Sequence, residues 1–103
     1  MLWNKTVYRI KLNGGHGMVV TKPVRDLIQH LIVRPFSMDT IWSMVILDKA
    51  NDPLYEVVDH QGRLDEFRGI PVGMDQSEPL NIQIYDTTAN EQFDIIFKVK
   101  EVR

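Results

Sequence analysis

Two segments in the last quarter of this sequence, each alternating between apolar and polar residues, constrain its fold most. The first is Leu80–Tyr85 (LNIQIY) and the second is Phe93–Val99 (FDIIFKV), with the polar stretch 86–91 between them. Because successive side chains of a strand point to opposite faces, each segment presents one apolar face. The pattern predicts two antiparallel strands joined as a hairpin, with their apolar side chains meeting across it.

Similar short segments recur along the rest of the chain. The Gly-rich stretch Asn13–Gly17 predicts a turn that joins two strands as a hairpin, because glycine adopts positive φ without penalty. Further strands or extended pieces are predicted over Ile41–Leu47, Leu54–Val58, Arg63–Phe67 and Ile70–Gly73, the last at a sheet edge because of its proline. About seven or eight short strands with frequent turns predict an all-β, antiparallel β-sandwich or jelly-roll-like domain over residues 1–103.

Residues 23–31 are ambiguous. Val24, Leu27, Ile28 and Leu31 have the spacing of an amphipathic helix, and Thr21 is placed to cap it ahead of Pro23. The β-branched residues that follow, and Pro35, instead favour a strand over Ile28–Arg34. We favour the strand, with one short helix near residues 23–31 as the alternative.

The segment Ile41–Leu47 is apolar on both faces, interrupted only by Ser43. This pattern is typical of a central strand that is covered on both sides. The second cover is supplied either by the fold itself or by a neighbouring subunit. Trp42 shares a face with Met44 and Ile46, so we expect it in the core.

Composition limits the kinds of protein this chain can be. It has 103 residues, the commonest domain size, and no cysteine, which excludes disulfides and thiolate metal sites. The first residues lack the apolar core of a signal peptide, and no stretch has the roughly 20 apolar residues of a membrane span. We therefore expect no membrane association.

Charge is distributed unevenly along the chain. Residues 1–35 carry six basic side chains against Asp26 alone, a net charge of +5, whereas residues 36–103 carry −7. Regions of opposite sign favour contacts between identical copies. Because the basic residues are sparse and the total charge is −2, we expect no nucleic-acid binding.

Motifs for catalysis, cofactors or metals are not found in the sequence. His16, His30 and His60 stand apart from one another, and no serine occupies a nucleophile motif. The stretch Gly14–Gly17 lacks the spacing of a phosphate-binding or dinucleotide-binding loop. We therefore predict no catalytic, cofactor-binding or metal-binding residues and no enzymatic activity.

Residues 28–99 contain a series of short motifs: HLIVRP at 30–35, TIW at 40–42, ILD at 46–48, Tyr55, GRL at 62–64 and IQIY at 82–85. The order and spacing of these motifs resemble small β-sandwich virion proteins of tailed bacteriophages. This resemblance implies a capsid decoration, connector or tail-adaptor protein. Such a protein is made in the host cytoplasm, resides in the virion and contacts other virion proteins and copies of itself.

We expect the contacts of such a homo-oligomer to involve two groups of residues. The basic residues are Lys5, Arg9 and Lys11, and the apolar residues are Ile41, Val45 and Leu47. The alternative is a carbohydrate- or receptor-binding β-sandwich module, in which Trp3, Tyr55 and Tyr85 stack against sugars.

Overall fold

The computed structural model describes residues 3–67, 69–73, 76–87 and 92–100, without the side chains of residues 3, 4, 26, 99 and 100. These residues form nine strands and no helix, so the prediction of seven or eight strands was slightly low. The strands are β1 (Trp3–Lys11), β2 (Gly17–Val20), β3 (Asp26–Pro35), β4 (Ile41–Leu47), β5 (Pro53–Gln61), β6 (Leu64–Glu66), β7 (Ile70–Val72), β8 (Asn81–Tyr85) and β9 (Gln92–Lys100).

The strands form two antiparallel sheets packed face to face, which confirms the β-sandwich. In the five-stranded sheet the order is β1-β9-β3, and both β6 and β7 pair with the other edge of β3. In the four-stranded sheet the order is β2-β8-β4-β5. Pro71 lies in β7, which pairs with β3 alone, as its missing N–H requires.

The core lies between the two sheets. Alternate residues of the long strands contribute apolar side chains to it. Trp42 is fully buried there, as predicted, and packs edge-on against Phe93 with ring centroids 5.6 Å apart. Its indole Nε1–H donates to the backbone carbonyl of Gly62 at 2.8 Å, so the one polar atom of this large side chain is satisfied.

The predicted hairpin of the last two strands is wrong. β8 pairs with β2 and β4, whereas β9 pairs with β1 and β3, so the two strands lie in different sheets. Their apolar faces do both point into the core, where Ile82 and Ile84 lie in one sheet and Phe93 and Ile95 in the other. Alternation identifies the buried face of a strand but not its neighbours.

The first predicted hairpin is wrong for the same reason. The turn forms, with Gly14 and Gly15 at φ +66° and +81° and an isolated bridge between Asn13 and His16. The chain then crosses from the five-stranded sheet to the four-stranded sheet instead of pairing β2 with β1. A Cβ on Gly15 would clash with the carbonyl oxygen of Thr87, so this position requires glycine.

Residues 26–35 form strand β3, and the helical alternative for residues 23–31 is wrong. The ladder with β9 shifts register between Ile28 and His30, which identifies a β-bulge at Gln29. As a result, Ile28 and Leu31 are both fully buried, whereas Gln29 and His30 between them are partly exposed. The bulge therefore places Ile28 and Leu31 on the same buried face of a strand. Their i, i+3 spacing is what suggested a helix.

Strand β4 lies in the interior of its sheet, between β8 and β5, as predicted. Trp42, Met44 and Ile46 fill the core, whereas the described part of the chain covers the other face only in part. Ile41 is 50% exposed there, and Val45 and Leu47 are half-buried. The apolar pattern of β4 thus leaves an apolar surface on the outside of the sandwich.

Candidate interaction surfaces

The outer side of the five-stranded sheet is basic. Strand register aligns its outward side chains in rows, in which Lys5 faces Lys98, Lys98 faces His30, and Asp94 lies between Arg9 and Arg34. We call this side the basic face; its cationic side chains are Lys5, Arg9, Lys11, His30 when protonated, Arg34, Arg63 and Lys98, and its described carboxylates are Asp65 and Asp94.

Two ion pairs neutralise part of the basic face. Arg9 Nε lies 3.3 Å from Asp94 Oδ1, and Arg63 Nε lies 2.8 Å from Asp65 Oδ2. The hydrogen bond from Arg63 is the main cause of the lowered pKa of Asp65; partial burial opposes it and His30 adds to it. Because all these side chains are partly exposed, the pairs contribute little stability. The basic face keeps a net positive charge because its cations outnumber its described carboxylates.

The outer side of the four-stranded sheet is apolar at its centre. Register places Met18, Gln83 and Val45 in one row and Val20, Asn81 and Leu47 in the next. Met18 and Val20 are 58% and 55% exposed. We call this side the apolar face; it consists of Met18, Val20, Ile41, Val45 and Leu47, separated by the amides of β8.

A cluster of carboxylates adjoins the apolar face at Tyr85. The Tyr85 hydroxyl donates to Glu56 Oε2 at 2.9 Å, and Glu56 faces Val45 across the β4–β5 ladder. Burial raises the pKa of Tyr85 most, and the hydrogen bond to Glu56 and the charges of Asp86 and Asp59 raise it further. We call Glu56, Asp59 and Asp86 the acidic cluster.

The residues predicted to form the interface fall into two groups on opposite sides of the sandwich. Lys5, Arg9 and Lys11 all point outward from β1 on the basic face. Ile41, Val45 and Leu47 all lie on the apolar face. The basic group of β1 thus lies on the outer side of the five-stranded sheet, and the apolar group of β4 lies on the outer side of the four-stranded sheet.

The residues proposed to stack against sugars are not brought together. Tyr55 is 8% exposed and its ring lies in the core, so it offers no platform for a ligand. Tyr85 is half-buried and its hydroxyl is engaged by Glu56. The side chain of Trp3 lies outside the described residues.

Sequence reasoning missed the four residues that line a cleft together with Lys5. Lys98 and His30 come from strands far apart in the chain, and register alone aligns them with Lys5. The ring of Phe67 stacks on that of His30, with centroids 3.9 Å apart and an interplanar angle of 18°. Gln29 joins them through the β-bulge, whose signal in the sequence was the interruption of strict alternation.

Comparison of the chain with protein-family models, curated proteins and solved structures gives no match. Among residues 3–67, 69–73, 76–87 and 92–100, no three histidine or acidic side chains are grouped to hold a metal ion. The same residues include no helix of a length and apolarity that would cross a membrane.

Proposed function

We propose that this protein is a non-enzymatic structural virion protein of a tailed bacteriophage, a capsid decoration, connector or adaptor protein that acts in multiple copies. The observation that carries this proposal is the opposite chemistry of the two outer sides of one small sandwich. One side is basic, and the other is apolar with the acidic cluster at its margin.

The occupant that best fits the apolar face is the basic face of a second copy. An exposed apolar surface of this kind marks an interaction site. The carboxylates of Glu56, Asp59 and Asp86 complement the cations on β1 of a neighbour, while Val7, 48% exposed among those cations, provides apolar contact. Charge complementarity sets the orientation and burial of apolar area supplies affinity.

Such a contact joins two different surfaces, so it is heterologous. Heterologous contacts build rings when the rotation between copies closes and open arrays when it does not. Rings and surface lattices are the arrangements in which virion decoration and connector proteins work. The β-sandwich supplies a rigid plate that presents the two surfaces on opposite sides.

The test is the mass of the protein in solution, measured by light scattering after size exclusion at low and high salt. We expect an oligomer that dissociates as salt screens the charges. The double variant Lys5→Glu/Lys11→Glu should weaken assembly most at low salt. The matched control is Lys22→Glu/Lys49→Glu, which makes the same charge change at exposed lysines outside the basic face.

A mixing experiment tests the heterologous geometry. Glu56→Lys alone should weaken assembly, and mixing it with Lys5→Glu/Lys11→Glu should restore a mixed oligomer, because each variant keeps one complementary surface. A wild-type protein that is monomeric at all concentrations and both salts contradicts self-association. Unchanged assembly by the Lys5/Lys11 variant contradicts the charge pairing.

The virion assignment has its own test. Mass spectrometry of purified particles, produced from the genome that encodes this chain, should detect it in many copies per particle. Its absence from the particles would contradict the assignment, whatever the protein does in solution. The carbohydrate-binding alternative has less support, because Tyr55 is buried and Tyr85 is engaged by Glu56.

A further inference from the structure

A row of basic side chains crosses the basic face, and its two lysines have no carboxylate partner among the described side chains. Lys5 lies directly opposite Lys98, and Lys98 lies directly opposite His30 on the next strand. Directly opposed side chains on one face have Cβ atoms about 5 Å apart, and like charges at that distance destabilise a sheet. Among the described side chains, Asp65 is an ion-pair partner of His30, at 3.3 Å, but no carboxylate is a partner of either lysine.

The β-bulge in β3 directs a hydrogen-bonding side chain to the same place. Regular alternation would send Gln29 and His30 to opposite faces, but the bulge keeps both on the outer side, between the buried Ile28 and Leu31. The Gln29 amide supplies both donors and an acceptor next to the cations. Bulges often re-aim side chains beside functional sites.

These residues line an open cleft that has one aromatic wall. The cleft has a volume of about 480 Å³ and is lined by Lys5, Gln29, His30, Phe67 and Lys98. Phe67 is 71% exposed although it is a large apolar side chain, and it is held in place by stacking on His30. The exposed surface of this ring is available to a flat apolar group of a ligand.

We propose that this cleft is a binding site for a small phosphate monoester that carries a ring. Two lysines supply the charge that balances a phosphate dianion, and lysine binds phosphate as a point charge. The Gln29 amide donates to the phosphate, and protonated His30 donates through Nδ1, because its Nε2 is engaged by Asp65. The ring of the ligand packs on Phe67. Binding places an anion between Lys5 and Lys98 and so relieves their repulsion.

The test is titration of the intact chain with phenyl phosphate, inorganic phosphate and benzyl alcohol, followed by NMR and calorimetry. We expect phenyl phosphate to bind most tightly and to shift the signals of the Gln29 amide, the His30 ring and the Phe67 ring. Inorganic phosphate should bind more weakly, and benzyl alcohol should not bind measurably. Equal affinity for the two phosphates would overturn the role of Phe67.

Variants separate a built site from general attraction to a basic surface. Lys98→Gln should weaken phenyl phosphate binding by about tenfold or more, the effect of losing one charged hydrogen-bond donor. Phe67→Leu should weaken phenyl phosphate but not inorganic phosphate. The control Lys49→Gln should have no effect. Equal losses in Lys98→Gln and Lys49→Gln would overturn the site.

The stability of Lys98→Gln should be compared with that of wild type, both without and with ligand. Because Lys98→Gln removes a like-charge contact, the unliganded variant should be at least as stable as wild type. A Lys98→Gln variant that is less stable than wild type without ligand would contradict the repulsion between Lys5 and Lys98. At the same concentration, phenyl phosphate should raise the melting temperature of wild type more than that of Lys98→Gln.

Discussion

The hydroxyl of Ser43 accepts a hydrogen bond from the backbone N–H of Asp59 at 3.0 Å. Register between β4 and β5 shifts at this point, where Trp42 faces His60 but Met44 faces Val57. Two residues of β5 therefore oppose Ser43, and Asp59 adopts a positive φ of 52°. The hydroxyl of Ser43 is fully buried, and it accepts from a backbone donor that the bulge removes from the ladder.

Replacing Ser43 by alanine should lower the free energy of unfolding by about 1–3 kcal/mol, since the Asp59 N–H then lacks an acceptor inside the sheet. Urea denaturation measures this change. Ser77→Ala, at an exposed serine, is the control and should change stability little. Asp59→Gly should not show the loss, because the donor is the backbone and glycine tolerates the positive φ. A Ser43→Ala protein as stable as wild type would contradict this role.

Gly62→Ala should destabilise the protein by more than about 1–2 kcal/mol, the cost of the left-handed conformation alone. Gly62 has φ +76°, and a Cβ there would lie 2.8 Å from the carbonyl oxygen of Met38. Gly14→Ala is a matched control, because its φ is +66° but its Cβ would meet only the His16 ring, at 3.8 Å. The difference between the two variants in thermal denaturation measures the steric clash. Equal losses would contradict it.

Tyr85 should make the protein less stable at high pH. Its folded-state pKa is raised above 10.0 by burial and by Glu56, so the folded state holds this proton more tightly than the unfolded chain does. The resulting stabilisation is complete below pH 10 and is lost as pH rises through the folded-state pKa. Tyr85→Phe should flatten the alkaline end of the stability profile, measured by urea denaturation at each pH.

The part played by Glu56 can be measured separately. Glu56→Gln should lower the Tyr85 pKa towards its ordinary value, followed by ¹³C NMR of the ring carbon that bears the hydroxyl. Asp39→Asn is the control, because Asp39 is not among the groups that act on Tyr85. A Tyr85 pKa that is unaffected by Glu56→Gln would contradict the hydrogen bond as a cause.

Asp65 should make the protein less stable at low pH. Its folded-state pKa lies below 3.8 because it accepts hydrogen bonds from Arg63 and His30. The stabilisation is present above the unfolded-state pKa and is lost as pH falls through the lowered value. Arg63→Gln should raise the Asp65 pKa in an NMR titration of its carboxyl carbon, and Arg25→Gln should not. The same pKa in both variants would contradict the role of Arg63.

Much of the fold follows from local pattern, but strand pairing does not. The alternation in Leu80–Tyr85 and in Phe93–Val99 correctly identifies the core-facing residues of β8 and β9. The same alternation serves equally well for strands side by side and for strands in opposite sheets. The polar stretch 86–91 therefore suggested a hairpin, whereas β8 and β9 lie in different sheets.

The candidate sites were harder to predict because they depend on pairing. Lys5, Arg9 and Lys11 share a face within one strand, so their proximity follows from the sequence. Lys98 and His30 line a cleft together with Lys5. Predicting this would require knowing the register of β1, β9 and β3. Gln29 requires a bulge, a feature that breaks the periodicity on which strand prediction depends.

The pairing of β1 with β9 has a consequence for the synthesis of this protein. Arg9 and Asp94 are neighbours in the sheet although 85 positions separate them. On the ribosome, β1 emerges early and has no partner strand until β9 has been translated. The pairing of β1 with β9 therefore completes the five-stranded sheet late. It is also slow, because the two strands are far apart in the sequence. Until then the backbone of β1 is an open edge, so chaperones that bind extended segments would find their target there.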